Sequence, residues 1–327
     1  MNKKIGIIGS GSWGLALSLA ISRSSSDVTI WINSKKKLIE LNEKRLSNYL
    51  PKIKIPEKIK LVNDLNSVVE SDYIFLVTPS QKLRENLELI KQKKVVSKRF
   101  VICSKGIEKQ TNKLMSEVVA ELFPESNSIV LSGPNFANEV AKNLPTAFVL
   151  SSVNTVDLNS LGELISSKNF RPYFNNDVIG TQIGGSLKNV IAIACGIVLG
   201  KELGENARAS ILTRGLREIT ALGMKLGAKE ETFKGLSGLG DLNLSCNSLK
   251  SRNMMLGYQL GKGKPIQTLV EDNILNEGIN SCASICEIGE LNKVNLPICN
   301  AVKEVLEGNS ISNIISDLLS RPLQFEK

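Results

Sequence analysis

The sequence predicts two architectures in succession: an α/β domain with a mostly parallel sheet, followed by an all-helical domain. Up to about residue 183, short apolar runs with the character of buried strands alternate with helical segments. Beyond that point the strand-like runs nearly disappear, and long helical stretches punctuated by Gly and Pro replace them. We therefore divide the chain of 327 residues into an α/β domain over residues 1–183 and a helical domain over residues 184–327.

Six short apolar runs in the first domain are predicted to be strands. Gly, Ser, Thr or another polar residue follows most of these runs, and helical segments lie between most of them. Strands that alternate with helices indicate βαβ units and therefore a mostly parallel sheet. The predicted strands cover residues 4–8, 27–32, 73–77, 100–103, 128–131 and 147–150, and helices over residues 15–21 and 113–122 are among the connections.

The second domain is predicted to contain helices only, because long apolar-rich segments in it are separated by Gly and Pro. No internal repeat and no low-complexity segment is visible in either domain. The predicted helices cover residues 187–199, 206–226, 251–260, 281–291 and 300–307.

The composition argues against several classes of function. The net charge is +9, but the basic residues are scattered apart from clusters at residues 35–37 and 91–99. Aromatic residues make up 5% of the chain and do not interleave with these clusters, so we expect no nucleic-acid partner. The six cysteines form no C-x-x-C pair and the chain contains no histidine, so no metal site is expected.

The sequence also predicts a cytoplasmic protein that is not an integral membrane protein. Cysteines without a disulfide pattern are typical of reduced thiols in the cytosol. The apolar residues near Ile5 belong to the first predicted strand and not to a signal peptide. The apolar run at residues 190–199 is too short to span a bilayer.

A glycine-rich turn follows the first predicted strand and opens a helix. Gly9, Gly11 and Gly14 form the G-x-G-x-x-G pattern of Rossmann-type dinucleotide-binding domains. The first glycine permits the tight turn, the second lets the backbone approach the pyrophosphate, and the third allows the helix to pack closely on the strand. We expect Ser12 and Trp13 at this turn to add contacts, while a glycine-rich turn without a ligand is the alternative.

The residues after the second predicted strand indicate which nicotinamide cofactor is preferred. An Asp or Glu there would accept a hydrogen bond from the ribose 2′-hydroxyl of NAD, but no carboxylate occurs before Glu40. Asn33 and Ser34, followed by three lysines at residues 35–37, suit a 2′-phosphate instead. The sequence therefore favours NADPH over NADH. In the alternative interpretation, the lysines form only the solvated face of the next helix.

Open α/β sheets bind ligands beyond the carboxyl ends of their strands, and two of the predicted strand ends carry distinctive residues. Lys105 follows the fourth predicted strand and precedes Gly106. Gly133, Pro134 and Asn135 follow the fifth. We expect these groups to contact an anion or a carbonyl at the mouth of the cofactor crevice. For Lys105, a solvated loop lysine is the alternative.

Lys188 is the candidate for proton transfer, because the chain lacks histidine, the residue that most often performs it. It leads an apolar run and is the only charge between Asp177 and Lys201. Such a lysine is either a solvated helix end or a buried proton carrier whose pKa is lowered by its surroundings.

Two further patterns in the helical domain suggest contacts with a substrate. Asp241 ends a glycine-rich turn and is expected to hydrogen-bond a substrate hydroxyl or to hold a lysine ammonium, with helix capping as the alternative. Ser251, Arg252 and Asn253 begin a predicted helix, and together with its amino terminus they suit a phosphate. Facing a dinucleotide crevice, these groups predict the reduction of a small phosphorylated ketone.

These motifs, in this order, resemble those of bacterial NAD(P)-dependent glycerol-3-phosphate dehydrogenases over essentially the whole chain. The resemblance implies reversible reduction of dihydroxyacetone phosphate to sn-glycerol 3-phosphate for phospholipid synthesis, by cytoplasmic enzymes that are often homodimers. Lys188 matches the family's proton-transferring lysine. The implied substrate contacts are Lys105, Gly133, Asn135, Lys188, Asp241, Ser251, Arg252 and Asn253. The implied cofactor contacts are Ser12, Trp13, Asn33, Lys105, Ala137, Arg252, Leu275 and Glu277.

Some positions depart from the family's pattern. Asn135 stands where many members have Thr or Ser, although its amide can still donate a hydrogen bond. Ser186 replaces a frequent Ala. Asn33 stands where several members carry a basic residue, which bears on the strength of the preference for NADPH.

Two alternatives remain open at this point. A β-hydroxyacid dehydrogenase has a similar architecture and also uses a lysine, but it typically places Lys and Asn four residues apart, whereas Lys188 and Asn189 are adjacent here. The other alternative is a regulator that binds NADPH without catalysis. An intact set of candidate reacting residues argues against the regulator.

Overall fold

The computed structural model describes residues 3–24, 27–95, 97–271 and 276–320. An eight-stranded sheet occupies the amino-terminal part, and helices make up the carboxyl-terminal part of the described chain. The strands are β1 (Ile5–Ile8), β2 (Val28–Trp31), β3 (Ile59–Val62), β4 (Tyr73–Leu76), β5 (Arg99–Ile102), β6 (Asn127–Ser132), β7 (Thr146–Ser151) and β8 (Phe170–Asn175).

Helices connect most of the strands and then continue to the end of the described chain. Those of the amino-terminal part are α1 (Ser12–Ile21), α2 (Lys35–Lys44), α3 (Asn66–Val69), α4 (Leu83–Lys91), α5 (Met115–Leu122), α6 (Ala137–Ala141) and α7 (Thr155–Ile165). Those of the carboxyl-terminal part are α8 (Val178–Gly200), α9 (Glu205–Lys225), α10 (Glu230–Lys234), α11 (Asp241–Cys246), α12 (Arg252–Gly261), α13 (Ile266–Glu271), α14 (Glu277–Leu291), α15 (Pro297–Leu306) and α16 (Ile311–Leu319).

The strand order β3-β2-β1-β4-β5-β6-β7-β8 places β1 where the order of the strands reverses. Ile5 pairs with Val28 of β2 on one side and with Tyr73 of β4 on the other, in parallel in both cases. Among the described strands, only β6 and β7 pair in the antiparallel direction. Open α/β sheets bind ligands at such a reversal, beyond the carboxyl ends of the strands. The glycine turn of residues 9–14 lies there.

The sheet has a hydrophobic core on each face, because successive side chains of a strand point to opposite faces. Ile7 belongs to one core cluster and Ile8 to the other, and both are fully buried. A third cluster fills the helical part and includes Ile191 and Ile193 of α8. Burial on both faces explains why the central strands consist of continuous apolar runs.

Helix α8 packs backbone against backbone with α12. A Cβ at Gly196 would lie 2.1 Å from the carbonyl oxygen of Met254, and one at Gly257 would lie 2.0 Å from that of Ile193. Only glycine leaves room for this contact. The close packing fixes the start of α12 relative to Lys188, which lies on α8.

By length and composition alone, α8 could cross a membrane, but 94% of its most apolar window is buried inside the protein. Helix α8 is therefore a core helix. The apolar run at residues 190–199, which was expected to be too short to span a bilayer, is part of a longer helix that begins at Val178 and not near residue 187. Burial of the segment, and not its length, argues against a membrane span.

The predicted fold class is confirmed, and all six predicted strands are present with bounds that differ by single residues. Strands β3 and β8 were missed. They form the two edges of the sheet, and their sequences contain Lys60 in β3 and Arg171 and Pro172 in β8, which break the apolar pattern. Helix α8 runs through residue 183, and the division into two domains at that residue stays a prediction.

Candidate active site

The glycine turn after β1 has the geometry that a dinucleotide requires. Gly9 has φ of +122°, and a Cβ there would lie 2.3 Å from the carbonyl oxygen of Val77. A Cβ at Gly14 would lie 1.9 Å from the carbonyl oxygen of Gly9, so α1 packs directly on the turn. At Gly11, by contrast, no atom lies within 4 Å of the Cβ position. The backbone is therefore open at the position where a pyrophosphate would approach it.

Ser12 and Trp13 begin α1, and both are half-buried. The N-cap residue of α1 is Gly11, so no side chain satisfies the first N–H groups of this helix. Those groups carry partial positive charge and suit a phosphate. Trp13 and Ala137 pack against the same core cluster, where α1 and α6 meet.

Asn33, Lys35 and Lys36 are exposed beyond the end of β2. The carbonyl oxygen of Asn33 accepts a hydrogen bond from Nδ2 of Asn63 at 2.8 Å, which holds the backbone of the strand end. No hydrogen bond or ion pair to a described residue engages the ammonium of either lysine. Their side chains are thus accessible to a phosphate at the start of α2.

Lys37 differs from its two neighbours because its ammonium reaches back to the glycine turn. Its Nζ lies 2.8 Å from the carbonyl oxygen of Ser10 and 2.8 Å from Oγ of the same residue. It also lies 4.6 Å from the ring centroid of Tyr49, and partial burial lowers the pKa of Lys37. Lys37 therefore supports the turn, and the interpretation of all three lysines as a solvated helix face was wrong for this one.

Lys105 and Lys188 share a single carboxylate. Nζ of Lys188 lies 2.5 Å from Oδ1 of Asp241, and Nζ of Lys105 lies 2.6 Å from Oδ2. Lys105 also donates to the carbonyl oxygen of Gly133 at 2.9 Å, and Lys188 donates to Oγ of Ser245 at 2.8 Å. Asp241 is 1% exposed, so a buried anion holds two cations together that would otherwise repel each other.

These contacts decide two of the alternatives. The side chain of Lys105 is only 18% exposed and bonds to two groups, so the solvated loop lysine was wrong. Asp241 is the first residue of α11, and Gly240 occupies the N-cap position. The capping interpretation of Asp241 was therefore also wrong.

The pKa of Lys188 is lowered to about 8, chiefly because burial disfavours the charged form. The ammonium of Lys105 acts in the same direction, and Asp241 acts in the opposite one. A group with this pKa can both give and take a proton near neutral pH, which is what a general acid or base needs. Lys188 thus has the chemistry of a proton carrier.

A glycine-rich turn of π helix, Leu236–Gly240, brings Asp241 to Lys188. A Cβ at Gly184 would lie 2.5 Å from the carbonyl oxygen of Ser237, so the π turn rests directly on α8. Gly184 lies one helical turn before Lys188 and therefore on the same side of α8. The small residue on α8 lets the turn approach closely enough for Asp241 to reach the lysine.

A chain of side-chain amides joins the loop of Lys105 to three helices. Nδ2 of Asn189 donates to the carbonyl oxygen of Lys105 at 3.1 Å, and Nδ2 of Asn253 donates to Oδ1 of Asn189 at 3.0 Å. Oδ1 of Asn253 accepts from the N–H of Gly278 at 3.1 Å. Asn253 uses one of its two amide hydrogens in this chain.

Asn135 has a side-chain amide whose nitrogen and oxygen are both buried and lack a hydrogen-bond partner. It lies two residues after Gly133, which has φ of +128° and whose carbonyl oxygen accepts from Lys105. A buried amide without a partner is unfavourable unless a ligand or water satisfies it. The side chain of Asn135 is therefore suited to a substrate contact.

The start of α12 presents one exposed cation. Ser251 is the N-cap residue, and its Oγ accepts from the N–H of Met254 at 3.4 Å. Arg252, the next residue, is exposed and interacts electrostatically with Glu277. A guanidinium at the amino terminus of a helix is a favourable place for a phosphate.

Glu277 begins α14 and reaches the loop after β4. Its Oε1 accepts from the N–H of Ser80 at 2.8 Å, and its Oε2 accepts from the hydroxyl of Ser80. Burial raises the pKa of Glu277, although Ser80, Arg252 and Lys109 oppose the change. Leu275, the other cofactor contact implied on this segment, lies outside the described residues.

The sequence did not reveal Ser80 or Ser245 as residues of the site, and it did not distinguish Lys37 from Lys35 and Lys36. Ser80 follows a strand end, so the rule that pointed to Lys105 could have found it. Ser245 lies one turn after Asp241 on α11, which only a known helix register reveals. The described residues include no cluster of His, Cys, Asp or Glu placed to hold a metal ion.

Comparisons with known proteins match both parts of the chain. Residues 4–157 match a model of the NAD-dependent glycerol-3-phosphate dehydrogenase N-terminus, and residues 177–316 match the C-terminus model. A glycerol-3-phosphate dehydrogenase (NAD(P)+) of Parvibaculum lavamentivorans is 40% identical over 99% of this chain and 98% of its own length. That of Caulobacter vibrioides is 41% identical over 99% of each. The crystal structure of glycerol-3-phosphate dehydrogenase from Coxiella burnetii has a TM-score of 0.93 at 35% identity and covers 98% of this chain and 99% of that one.

Proposed function

The chain belongs to the NAD-dependent glycerol-3-phosphate dehydrogenase family, and we propose on this basis that it interconverts dihydroxyacetone phosphate and sn-glycerol 3-phosphate. Like its relatives, it is an oxidoreductase that uses NAD(P)H. The observation that carries the proposal is the pair of lysines on one buried carboxylate, beyond the ends of the parallel strands.

The turn after β1 fits the cofactor. Gly11 leaves open space beside its backbone, and the uncapped amino terminus of α1 offers N–H groups to a pyrophosphate. When bound, NAD(P)H supplies the hydride that reduces the ketone carbon. We assign the remaining cofactor contacts to Gly9, Ser12, Trp13, Gly14, Asn33, Lys105, Ala137, Arg252 and Glu277, with Leu275 outside the described residues.

Lys188 is the general acid of the reduction. Its ammonium gives a proton to the carbonyl oxygen of dihydroxyacetone phosphate as that oxygen becomes an alkoxide. In the reverse direction the neutral amine takes the proton from the hydroxyl of glycerol 3-phosphate. A pKa of about 8 supports both roles, because both protonation states are populated near neutral pH.

Lys105 and Asp241 assist Lys188 without exchanging protons. The ammonium of Lys105 stabilises the negative charge that develops on the substrate oxygen, as preorganised cations do in other active sites. Asp241 orients both ammonium groups through short charge-assisted hydrogen bonds. Ser245 accepts another hydrogen of Lys188 and so helps to aim its remaining hydrogen at the substrate.

The substrate phosphate binds at the start of α12 in this proposal. Arg252 supplies an exposed guanidinium, and the helix amino terminus supplies partial positive charge. The buried amide of Asn135, which has no protein partner, supports a contact with the rest of the substrate. Binding energy from the phosphate then helps to orient the reacting carbon. The other assigned substrate contacts are Gly133, Ser251 and Asn253.

We further propose that NADPH is preferred over NADH. Lys35 and Lys36 are exposed beside Asn33, and no carboxylate stands at the end of β2 to accept from a ribose hydroxyl. We also propose that the protein is cytoplasmic, that it forms a homodimer, and that its product supplies glycerophospholipid synthesis, as family members typically do.

The test is NADPH oxidation after addition of dihydroxyacetone phosphate to the purified protein, repeated with NADH. We expect oxidation with both cofactors and a lower KM for NADPH. Turnover of a β-hydroxyacid without turnover of dihydroxyacetone phosphate would favour the hydroxyacid dehydrogenase. Cofactor binding without oxidation in the presence of any ketone would favour the regulator.

A further inference from the structure

Glu277 and Ser80 join two segments that are 197 residues apart. The carboxylate accepts two hydrogen bonds from one residue, since Ser80 donates both its backbone N–H and its hydroxyl. Ser80 is 1% exposed, so water does not compete for these bonds. Two donors on the two oxygens fix the orientation of the carboxylate more firmly than one would.

Gly106 is the third member of this contact. A Cβ there would lie 2.4 Å from Oγ of Ser80 and 2.8 Å from Oε2 of Glu277. No side chain fits into this space without displacing the pair. Gly106 directly follows Lys105 in the loop after β5, which we call the lysine loop. The Ser80–Glu277 pair therefore rests against the backbone of this loop.

The pair also completes a circuit of contacts, in which hydrogen bonds are joined by the close packing of Ser80 against Gly106. The amide chain described above runs from the carbonyl oxygen of Lys105 to the N–H of Gly278. Gly278 follows Glu277, whose carboxylate returns to Ser80 and, through it, to the neighbour of Lys105. The loops after β4 and β5 are thereby tied to α8, α12 and α14. A change at Ser80 therefore acts on the start of α14 and on the loop of Lys105 and Gly106 together.

We propose that Ser80 is a positioning residue for cofactor binding, which holds the ionised carboxylate of Glu277 at the junction of the lysine loop and α14. The inference rests on the proposed function, because it takes Glu277 to be a cofactor contact. An ionised carboxylate only accepts hydrogen bonds, so its partners on the cofactor are donors, namely ribose hydroxyls or the carboxamide NH₂. Ser80 acts through Glu277 and not on the reacting atoms.

The charges around Glu277 set the direction of the expected pH effect. Arg252 on α12 and Lys109 in the loop after β5 favour the ionised form, as do both hydrogen bonds from Ser80. Burial opposes them and raises the pKa of Glu277. Loss of the Ser80 hydroxyl removes a donor that stabilises the anion. Glu277 then becomes protonated at a higher pH than in the unchanged protein.

The experiment measures the dissociation constant of NADH by quenching of tryptophan fluorescence over a range of pH. NADH is used because the 2′-phosphate of NADPH itself titrates near pH 6. We expect affinity to fall as the pH drops through the pKa of Glu277. Ser80→Ala should move this fall to higher pH and weaken binding by roughly tenfold, the effect of losing one hydrogen bond to a charged group. Ser80→Thr keeps the hydroxyl, so both the pH midpoint and the NADH affinity should return to those of the unchanged protein.

Ser281→Ala is the matched control. Ser281 is fully buried on α14, and its Oγ accepts from the N–H of Ile107 at 3.1 Å in the same junction. The Ser281→Ala variant also loses a buried serine hydroxyl, but this hydroxyl does not donate a hydrogen bond to Glu277. We expect it to leave the pH midpoint unchanged. If Ser80→Ala does not fold, Ser80→Cys provides a weaker donor of similar size and should give an intermediate shift.

Glu277→Gln separates this inference from the proposed function. We expect this variant to bind NADH more weakly than the unchanged protein, with an affinity that does not change over the pH range in which Glu277 titrates. Adding Ser80→Ala to Glu277→Gln should then weaken binding little further. Equal effects of Ser80→Ala and Ser281→Ala, or an unchanged affinity in Glu277→Gln, would overturn the positioning role while turnover of dihydroxyacetone phosphate stays intact. Absence of that turnover in the unchanged protein would instead reject the proposed function, and the binding curves would still report on Ser80.

Discussion

The two ends of the candidate site are shaped by opposite means. At the cofactor end, the glycine turn has its geometry because side chains are absent: Gly9 and Gly14 leave no room for a Cβ, and Gly11 leaves the backbone open. At the reacting end, charged side chains from distant segments meet. Lys105 lies 136 residues from Asp241 in sequence, and Lys188 lies 53 residues from it. One end depends on local backbone conformation, and the other depends on tertiary contacts.

This difference determines how each end responds to change. Steric constraints in the glycine turn do not depend on pH, and they act on the local packing and on the approach of the cofactor. Lys188 and Asp241 are buried, and the pKa of Lys188 responds to the charges of Asp241 and Lys105 beside it. Substitutions at the reacting end should therefore alter pH profiles and turnover, and substitutions in the turn should alter cofactor affinity and packing.

The largest effect is expected for Lys188→Ala. Loss of general acid–base catalysis should lower kcat by about 10²–10⁴-fold, and NADPH affinity should stay unchanged because the glycine turn is untouched. Steady-state kinetics and a fluorescence titration measure the two quantities. Lys201→Ala, which removes an exposed lysine at the end of the same helix, is the control. Near-normal turnover in a folded Lys188→Ala protein would contradict the role.

Asp241→Asn should produce the next largest effect. Asp241 raises the pKa of Lys188, so its loss should lower that pKa below about 8. In glycerol 3-phosphate oxidation, kcat/KM rises with pH as Lys188 loses its proton, and the midpoint should move to lower pH by about one pH unit or more. In the reduction of dihydroxyacetone phosphate, the activity of the variant should begin to decline at a lower pH than that of the unchanged protein. An unchanged midpoint in both directions would show that Asp241 does not control Lys188.

Two alanine substitutions in the glycine turn should separate packing from cofactor binding. Gly14→Ala forces a Cβ against the carbonyl oxygen of Gly9 and should lower the free energy of unfolding by about 1–3 kcal/mol. The methyl group of Gly11→Ala would have no protein atom within 4 Å, so the free energy of unfolding should change by less than about 0.5 kcal/mol. Its methyl group should nevertheless weaken NADPH binding about tenfold or more. Thermal unfolding and titration of both variants test this, and a destabilised Gly11→Ala would refute it.

The smallest expected effect concerns the choice between the two nicotinamide cofactors. Reversing the charge of the exposed pair, with Lys35→Glu and Lys36→Glu together, should raise the KM for NADPH by roughly fivefold and that for NADH much less. Lys37→Met removes the support of the turn at Ser10 and should weaken both cofactors alike. Equal changes for NADPH and NADH in the double variant would defeat the assignment of a 2′-phosphate to Lys35 and Lys36.

Much of the fold could be predicted because the central strands and the glycine turn are encoded by neighbouring residues. The strands that were missed, β3 and β8, are at the edges, where a strand needs no continuous apolar run. The length of α8 was underestimated because residues 178–186 include Gly184 and Gly185, which have low helix propensity but are required for close packing of the π turn and the lysine loop.

The sequence by itself determined the dinucleotide turn and the presence of one isolated lysine in an apolar run of a chain without histidine. Only the tertiary structure decided that Lys188 shares Asp241 with Lys105, that Lys37 turns back to the glycine turn, and that Glu277 meets Ser80. The reason is physical: backbone conformation depends on nearby residues, whereas the protonation of a buried group depends on burial and on charges that folding brings to it.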